Sequence, residues 1–299
     1  MSDLKLKNQV FEDLYISQSF SEIKGLRGTE SLRVTAPDGL KADINALYIR
    51  CLEQSQKKNK DEFSLSYDDV FYRVTVYKDL MEENVFVCRR STAEIRELSS
   101  IAMPNYIRDV LVSRDLKGLI LVAGEMGSGK TTTAVSVIVD RLINFGGLAI
   151  AVEDPPETKL NGSHGVNGRC IQIEADRNKG GYAEPLIKAL RSGAELILIG
   201  EIRDAETAVE VIKASINGHL IISTIHSGSI TQAISRLAQL SKMPSDDAYA
   251  NIAEGLSLVL YQRRIPIPVS GGMSSKINIL GLDLINSDNA NEAKVKIRE

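Results

Sequence analysis

Gly118-Leu119-Ile120-Leu121-Val122-Ala123-Gly124-Glu125-Met126-Gly127-Ser128-Gly129-Lys130-Thr131-Thr132 decides how the rest of this 299-residue chain is read. Leu119 to Ala123 is apolar without interruption, as in a strand buried on both faces of a parallel sheet. A turn with glycines at 124, 127 and 129 follows, and then Lys130 to Ile143, which has helical spacing. Glycines let successive backbone N–H groups turn inward around an anion without Cβ clashes. The helix that follows aims its positive end at the same point. Lys130 adds a mobile positive charge for phosphate, and the Thr131 hydroxyl can ligate Mg2+. Strand, loop and helix in this order make Gly124, Glu125, Met126, Gly127, Ser128, Gly129, Lys130, Thr131 and Thr132 a candidate ATP-binding loop, with ATP and Mg2+ as the expected cofactors.

Beyond this loop the pattern repeats. Leu148–Val152, Leu196–Ile199 and Leu220–Ile225 are further short apolar runs, and Tyr182–Ser192 and Ala205–Asn217 have helical spacing. Such alternation predicts an α/β domain with a mostly parallel sheet and helices on both faces. Ligands of such sheets sit outside the carboxyl ends of the strands. The second run leads into Glu153-Asp154-Pro155-Pro156-Glu157, the third into Gly200-Glu201-Ile202-Arg203-Asp204, and the fourth into His226. Hydrolysis needs one carboxylate to position or deprotonate water and another to hold Mg2+, partly through water. Glu157 and Glu201 are the candidates for these roles, with Glu153 a further metal ligand and Arg203 a further catalytic candidate. Asp204 suits the N-cap of the next helix. His219 and His226 flank one apolar run, and at the nucleotide edge the two would sense the γ-phosphate or a neighbouring subunit. Pro155 to Arg169, with glycines at 162, 165 and 168, is expected to be a functional loop.

Residues 1–90 are expected to form a smaller α/β domain, 91–117 a linker with two short helices parted near Met103-Pro104, and 118–299 the main domain. In the first part, Ser31–Thr35 has strand character, Leu40–Gln54 helical spacing, and Gln54–Asp61 the composition of a polar loop. Phe63–Tyr67 and Phe71–Tyr77 alternate as a hairpin, and Val85–Cys88 adds a strand.

A net charge of -3 and an aromatic content of 5% give no basic, aromatic surface for nucleic acid, so a RecA-like nucleic-acid motor is the weaker alternative. A nucleotide-dependent switch with little turnover is the other, although the base-reading N-K-x-D pattern of GTPases is missing, since Asn178-Lys179 is followed by Gly180-Gly181. Cys51, Cys88 and Cys170 are too widely spaced for a zinc ribbon or a disulfide framework. Met1 to Ser17 lacks the apolar core of a signal peptide, and no apolar run nears the roughly 18 residues of a membrane span. A cytoplasmic protein is expected, with peripheral membrane contact left open.

Four blocks together resemble the type II/type IV secretion ATPase superfamily. Gly124–Thr131 is similar to its Walker A loop, Glu153–Glu157 (EDPPE) to its Asp box, Gly200–Ala208 (GEIRDAETA) to its Walker B region, and Gly218–Ser227 (GHLIISTIHS) to its His box. The resemblance is strong over residues 103 to 265 and weaker through Tyr72-Arg73-Val74 and Cys88-Arg89-Arg90-Ser91. It implies a RecA-like P-loop NTPase core with a PAS-like N-terminal domain. It also implies a homo-hexameric motor ATPase at the inner face of a bacterial inner membrane, working on a platform protein of a type IV pilus or a secretion or conjugation apparatus. By resemblance Glu157 is the catalytic glutamate, Glu201 the Walker B acid, and His219 and His226 the box histidines. Arg73, Arg89 and Arg90 correspond to N-terminal arginines that neutralise phosphate charge across an interface. Glu125 stands where many relatives have proline, and its side chain is expected to point away from phosphate. A tetracysteine zinc motif is missing, which favours the PilT-like retraction or DotB-like branch.

Overall fold

The computed structural model describes residues 4–91, 95–176, 179–269, 272–285 and 290–298. The chain divides into two compact units, one comprising the residues up to 94 with Asp154–Lys159, the other Ile95–Glu153 and the residues from 160 onward.

In the first unit, β1 (Asp13–Ile16), β2 (Ser21–Lys24), β3 (Arg33–Thr35), β4 (Glu62–Tyr67), β5 (Val70–Lys78) and β6 (Asn84–Arg90) form one sheet in the order β3-β2-β1-β6-β5-β4. Every neighbouring pair is antiparallel. Alternation works as period two demands: Val70, Tyr72 and Val74 of β5 are buried, and they share a core with Ile44, Leu47 and Cys51 of α1 (Lys41–Lys58). The hairpin expected at 63–77 and the strand expected at 85–88 are present. The lysine-rich stretch expected as a loop is instead mostly the last turns of α1, which ends at Asn59 in the left-handed region, φ 49°. Lys57 and Lys58 sit where cations favour the helix dipole, so a polar composition marked a helix end.

Two buried acids brace this unit. Asp43 accepts from the Leu6 amide (2.7 Å), the Tyr67 hydroxyl (2.8 Å) and Lys5 Nζ (3.1 Å). Burial alone would raise its pKa; the three donors outweigh it and hold the carboxyl below the ordinary value. Asp13 is likewise pushed up by burial and pulled further down by Arg89 and Lys24. Cys51 and Cys88 are buried with their Sγ atoms 3.8 Å apart, and Cys170 is buried elsewhere, in the second unit.

In the second unit, α2 (Asn105–Leu111) precedes β7 (Gly118–Gly124), α3 (Lys130–Phe145), β8 (Gly147–Glu153), β9 (Gly162–His164) and β10 (Gly168–Glu174). Then come α4 (Ala183–Leu190), β11 (Leu196–Ile199), α5 (Ala205–Ile216), β12 (Leu220–His226), α6 (Ile230–Ser241), α7 (Ser245–Gly255), β13 (Leu256–Val269), β14 (Gly272–Asp283) and α8 (Ala290–Arg298). The sheet order is β14-β13-β7-β12-β11-β8-β10-β9. The six strands from β13 to β10 run parallel, with β14 and β9 antiparallel at the two edges.

Every residue of β7 is buried, and the two faces of the sheet explain why. Leu119, Leu121 and Ala123 pack with residues of α4, α5, α6 and α7, while Ile120 and Val122 pack with residues of α2 and α3. Of the segment 91–117, expected as a linker, Leu98, Ile101, Ile107, Val110 and Leu111 join the second layer. Arg141 of α3, 4% exposed, fastens it by donating to the carbonyl of Leu111, the last residue of α2, and to those of Ser113 and Arg114 just beyond it. Burial pulls that guanidinium's pKa down. The expected loop 155–169 is also corrected: it contains β9 and leads into β10. Arg169 and Gln172 interrupt the apolar pattern of β10 because the strand lies near the sheet's edge and is only partly buried.

Candidate functional site

Parallel register gathers the strand ends. Gly124 at the end of β7 is paired with His226 at the end of β12 and with Gln262 on β13. Ile199 ends β11 opposite Val152 of β8, so Gly200-Glu201 and Glu153 emerge on the same edge. Of the expected groups, Gly124–Thr132, Glu153, Glu201, Arg203 and His226 therefore share one end of the sheet in the second unit.

The loop itself is built as an anion cradle requires. Gly124, Gly127 and Gly129 have φ of 152°, 71° and 91°, values that side chains with a Cβ rarely adopt. Lys130 is mostly buried and its ammonium donates to the Glu125 carbonyl, 2.8 Å away, drawing the loop around its own lysine. Ser128 is 1% exposed, and its Oγ has no hydrogen-bond partner. A buried hydroxyl without a partner inside a ring of glycine amides leaves this loop with bonding capacity unused. The Glu125 side chain is exposed, as is that of Met126.

Glu201 and His226 face each other, with Oε1 and Nε2 3.7 Å apart and both side chains about one third exposed or less. Glu153 is buried and accepts from Gln172 Nε2 at 2.8 Å. Arg203 lies over the Tyr182 ring at 5.1 Å, and Asp204 caps α5 through the Thr207 amide (2.8 Å) and hydroxyl (3.0 Å). Arg203, His226, Arg236 and Lys242 line an open groove of about 690 Å3 beside this edge. Among the described residues no cluster of three or more His, Cys, Asp or Glu side chains that could hold a metal ion occurs.

His219 is not with them. It precedes β12, whose strand rise carries it roughly 23 Å from His226 to the opposite edge of the sheet. There its carbonyl accepts from the Gly118 amide and its ring meets the Ala214 carbonyl at 3.3 Å. It lines a separate cavity of about 450 Å3 with Arg114, Lys117, Arg141 and Glu195. The expectation of two histidines at the nucleotide edge is corrected to one, because a seven-residue strand separates its two ends.

The first unit holds the remaining candidates. Glu157 lies in Asp154–Lys159, which groups with that unit: Ser64 Oγ donates to the Pro156 carbonyl and Ser91 Oγ to the Glu157 carbonyl. Arg73 Nη1 is 3.5 Å from Glu157 Oε1. Arg89 instead makes a two-point bond to Asp13, Nε–Oδ1 2.8 Å and Nη2–Oδ2 3.3 Å. Arg90 donates to the Leu6, Lys7 and Gln9 carbonyls and lies over the Phe11 ring at 5.6 Å. Arg89 and Arg90 are thus engaged in bracing their own unit, and Arg73 is the arginine of the three whose partner is a candidate catalytic carboxylate. Asn178 of the GTPase comparison lies outside the described residues. Gln262 was not singled out from the sequence, although a glutamine following Leu258 and Leu260 at two-residue spacing is a polar interruption of an apolar strand face.

A family model described as "Type II/IV secretion system protein" matches residues 83–274, more than half of the chain. Type II secretion system protein E of Dickeya dadantii is 36% identical over 151 residues, covering 50% of this chain and 29% of that protein. The type IV pilus ATPase PilU of Pseudomonas aeruginosa is 28% identical over 218 residues, covering 70% of this chain and 55% of that protein. The chain spans less than two thirds of the length of either relative. The pilus retraction motor PilT with bound ADP superposes with a TM-score of 0.76 at 22% identity, over 99% of this chain and 86% of that one. The Legionella pneumophila ATPase DotB gives 0.72 at 22% identity, over 97% and 84%. These likenesses bear out the expected fold, a mostly parallel α/β core with a smaller N-terminal domain.

Proposed function

The chain belongs to the type II/IV secretion system protein family, and on that premise we propose that it is a motor ATPase powering a type IV pilus or a type IV secretion or conjugation apparatus. The observation that carries the reading is the parallel register that sets the Gly124–Thr131 loop, Glu201 and His226 on one sheet edge. In this reading the loop amides and Lys130 hold the phosphates of ATP, Lys130 leaving the Glu125 carbonyl to do so. Thr131, Glu201 and Glu153 would hold Mg2+, partly through water, and a bound Mg2+ would supply positive charge beside the phosphates. Glu201 and His226 face each other across 3.7 Å at this edge. Glu157 would position the attacking water and Arg73 would neutralise phosphate charge, the roles that the resemblance implies for them. A homo-hexamer, an inner-membrane platform partner and a cytoplasmic location complete the proposal; no described helix is long and apolar enough to cross a membrane.

Phosphate release from ATP by the full chain tests it. Wild type should turn over, with a rate that rises alongside a sixfold species in mass measurements. Glu201→Ala should hydrolyse slowly while still binding nucleotide. Substantial turnover by Lys130→Ala would refute the site, and a concentration-independent rate from a monomer would refute the shared-site ring.

A further inference from the structure

Gln262 breaks the pattern of its own strand. Leu258 and Leu260 of β13 face the same layer as Ile120 and Val122 of β7, the layer shared with α3. Period two puts position 262 on that layer too, where an aliphatic residue is expected. It holds instead a carboxamide that is 1% exposed, with Oε1 lacking any hydrogen-bond partner. A buried amide on an apolar face is costly unless its atoms find partners.

A second orphan lies beside it. Ser128 Oγ, inside the phosphate loop, is also buried and unpartnered. Three proximities place the two residues in one neighbourhood. β13 pairs Gln262 with Gly124. A Cβ built on Gly124 would overlap the Gln262 carbonyl oxygen and lie 2.6 Å from Ser128 Oγ, and one built on Gly129 would lie 3.8 Å from Gln262 Nε2. The carboxamide thus lies near Gly129, in the same loop as the buried Ser128 hydroxyl.

We propose that Gln262 is a positioning residue of the phosphate loop, its Oε1 accepting the Ser128 hydroxyl when the loop closes on phosphate. This rests on the reading of Gly124–Thr131 as the ATP site. Lys130 Nζ here donates to the Glu125 carbonyl. When phosphate takes that ammonium, the Glu125 carbonyl is released and the turn can settle around the anion. Pairing Ser128 with Gln262 then satisfies two buried atoms at once, so part of the affinity for nucleotide comes from groups that never touch it. Glutamine suits the task because its neutral acceptor adds no charge repelling phosphate.

The test uses Gln262→Leu, Ser128→Ala and the double variant in the full chain. The readouts are equilibrium titration with a fluorescent ATP analogue, KM and kcat of phosphate release, and thermal melting. Each single variant should weaken nucleotide binding about ten-fold, the worth of one hydrogen bond, with the loss falling on KM more than on kcat. The double variant should be no weaker than either single, since both remove the same bond. Gln262→Leu should melt at or above the wild-type temperature, because leucine fits the apolar layer and removes an unpaired buried amide. Wild-type KM in Gln262→Leu, or single effects that multiply in the double variant, would overturn the proposal. Lys130→Ala separates the two levels: if it loses affinity while Gln262→Leu keeps it, only the role of Gln262 fails, and if Lys130→Ala also binds normally, the site itself is misassigned.

Discussion

Alanine at Gly124 and alanine at Gly127 should have unequal costs although both glycines belong to one loop. At Gly127, φ is 71° and an added Cβ meets nothing within 4 Å. The cost there is the left-handed conformation alone, about 1–2 kcal/mol for a residue with a Cβ. At Gly124, φ is 152° and the added Cβ would overlap the Gln262 carbonyl oxygen and sit 2.6 Å from Ser128 Oγ. That carbonyl belongs to β13, which is paired with β7, so relief requires spreading two central strands. Overpacking of this kind adds about 1–3 kcal/mol, for a total near 2–5 kcal/mol. Urea unfolding of the full chain, followed by far-ultraviolet circular dichroism, should show the larger loss of midpoint for Gly124→Ala at an unchanged slope. Equal midpoints for the two variants, or a greater loss for Gly127→Ala, would refute the steric reasoning.

Two further outcomes follow from the bracing groups. Asp43→Ala leaves the Leu6 amide and the Tyr67 hydroxyl without their acceptor and should destabilise the first unit by about 3 kcal/mol in urea unfolding; a loss under about 1 kcal/mol would count against the network. Because the folded Asp43 carboxyl is held below its unfolded value, its contribution is complete above about pH 4 and disappears as pH falls through the folded pKa. Stability should therefore fall more steeply from about pH 5 to pH 2 in wild type than in Asp43→Asn, and identical profiles would contradict the assignment. Asp204→Ala removes the cap of α5 and should cost about 1 kcal/mol, read as a shift in thermal midpoint; an unchanged midpoint would show the cap to be redundant.

The parts of the fold written in short-range pattern were legible. β7, β8, β11 and β12 are buried on both faces, so their apolar runs were continuous and their ends could be placed, and with them Lys130, Glu201 and His226. The parts set by tertiary context were not. β10 carries Arg169 and Gln172 because it lies near the edge, and β13 and β14 form a long antiparallel pair whose strands mix charged and apolar residues. The packing of residues 95–117 onto the core was not legible, because one tie, Arg141 bonding their carbonyls, comes from a residue some thirty positions away. His219 was misplaced because adjacency to a strand does not say which end of it, and the bonds of Arg89 and Arg90 depend on Asp13 and on carbonyls more than seventy residues earlier. Gln262 shows the converse: a polar residue on an apolar strand face was visible in the sequence, but the loop it underlies was not.

Calorimetric titration of Mg-ATP into wild type and Lys130→Ala, at one pH and salt concentration, tests the central assignment most directly. Wild type should saturate, and Lys130→Ala should bind about ten- to hundred-fold more weakly, as expected for losing one charged hydrogen bond to phosphate. Equal affinities in the two proteins would mean that ATP, wherever it binds, is not held by the Gly124–Thr131 loop.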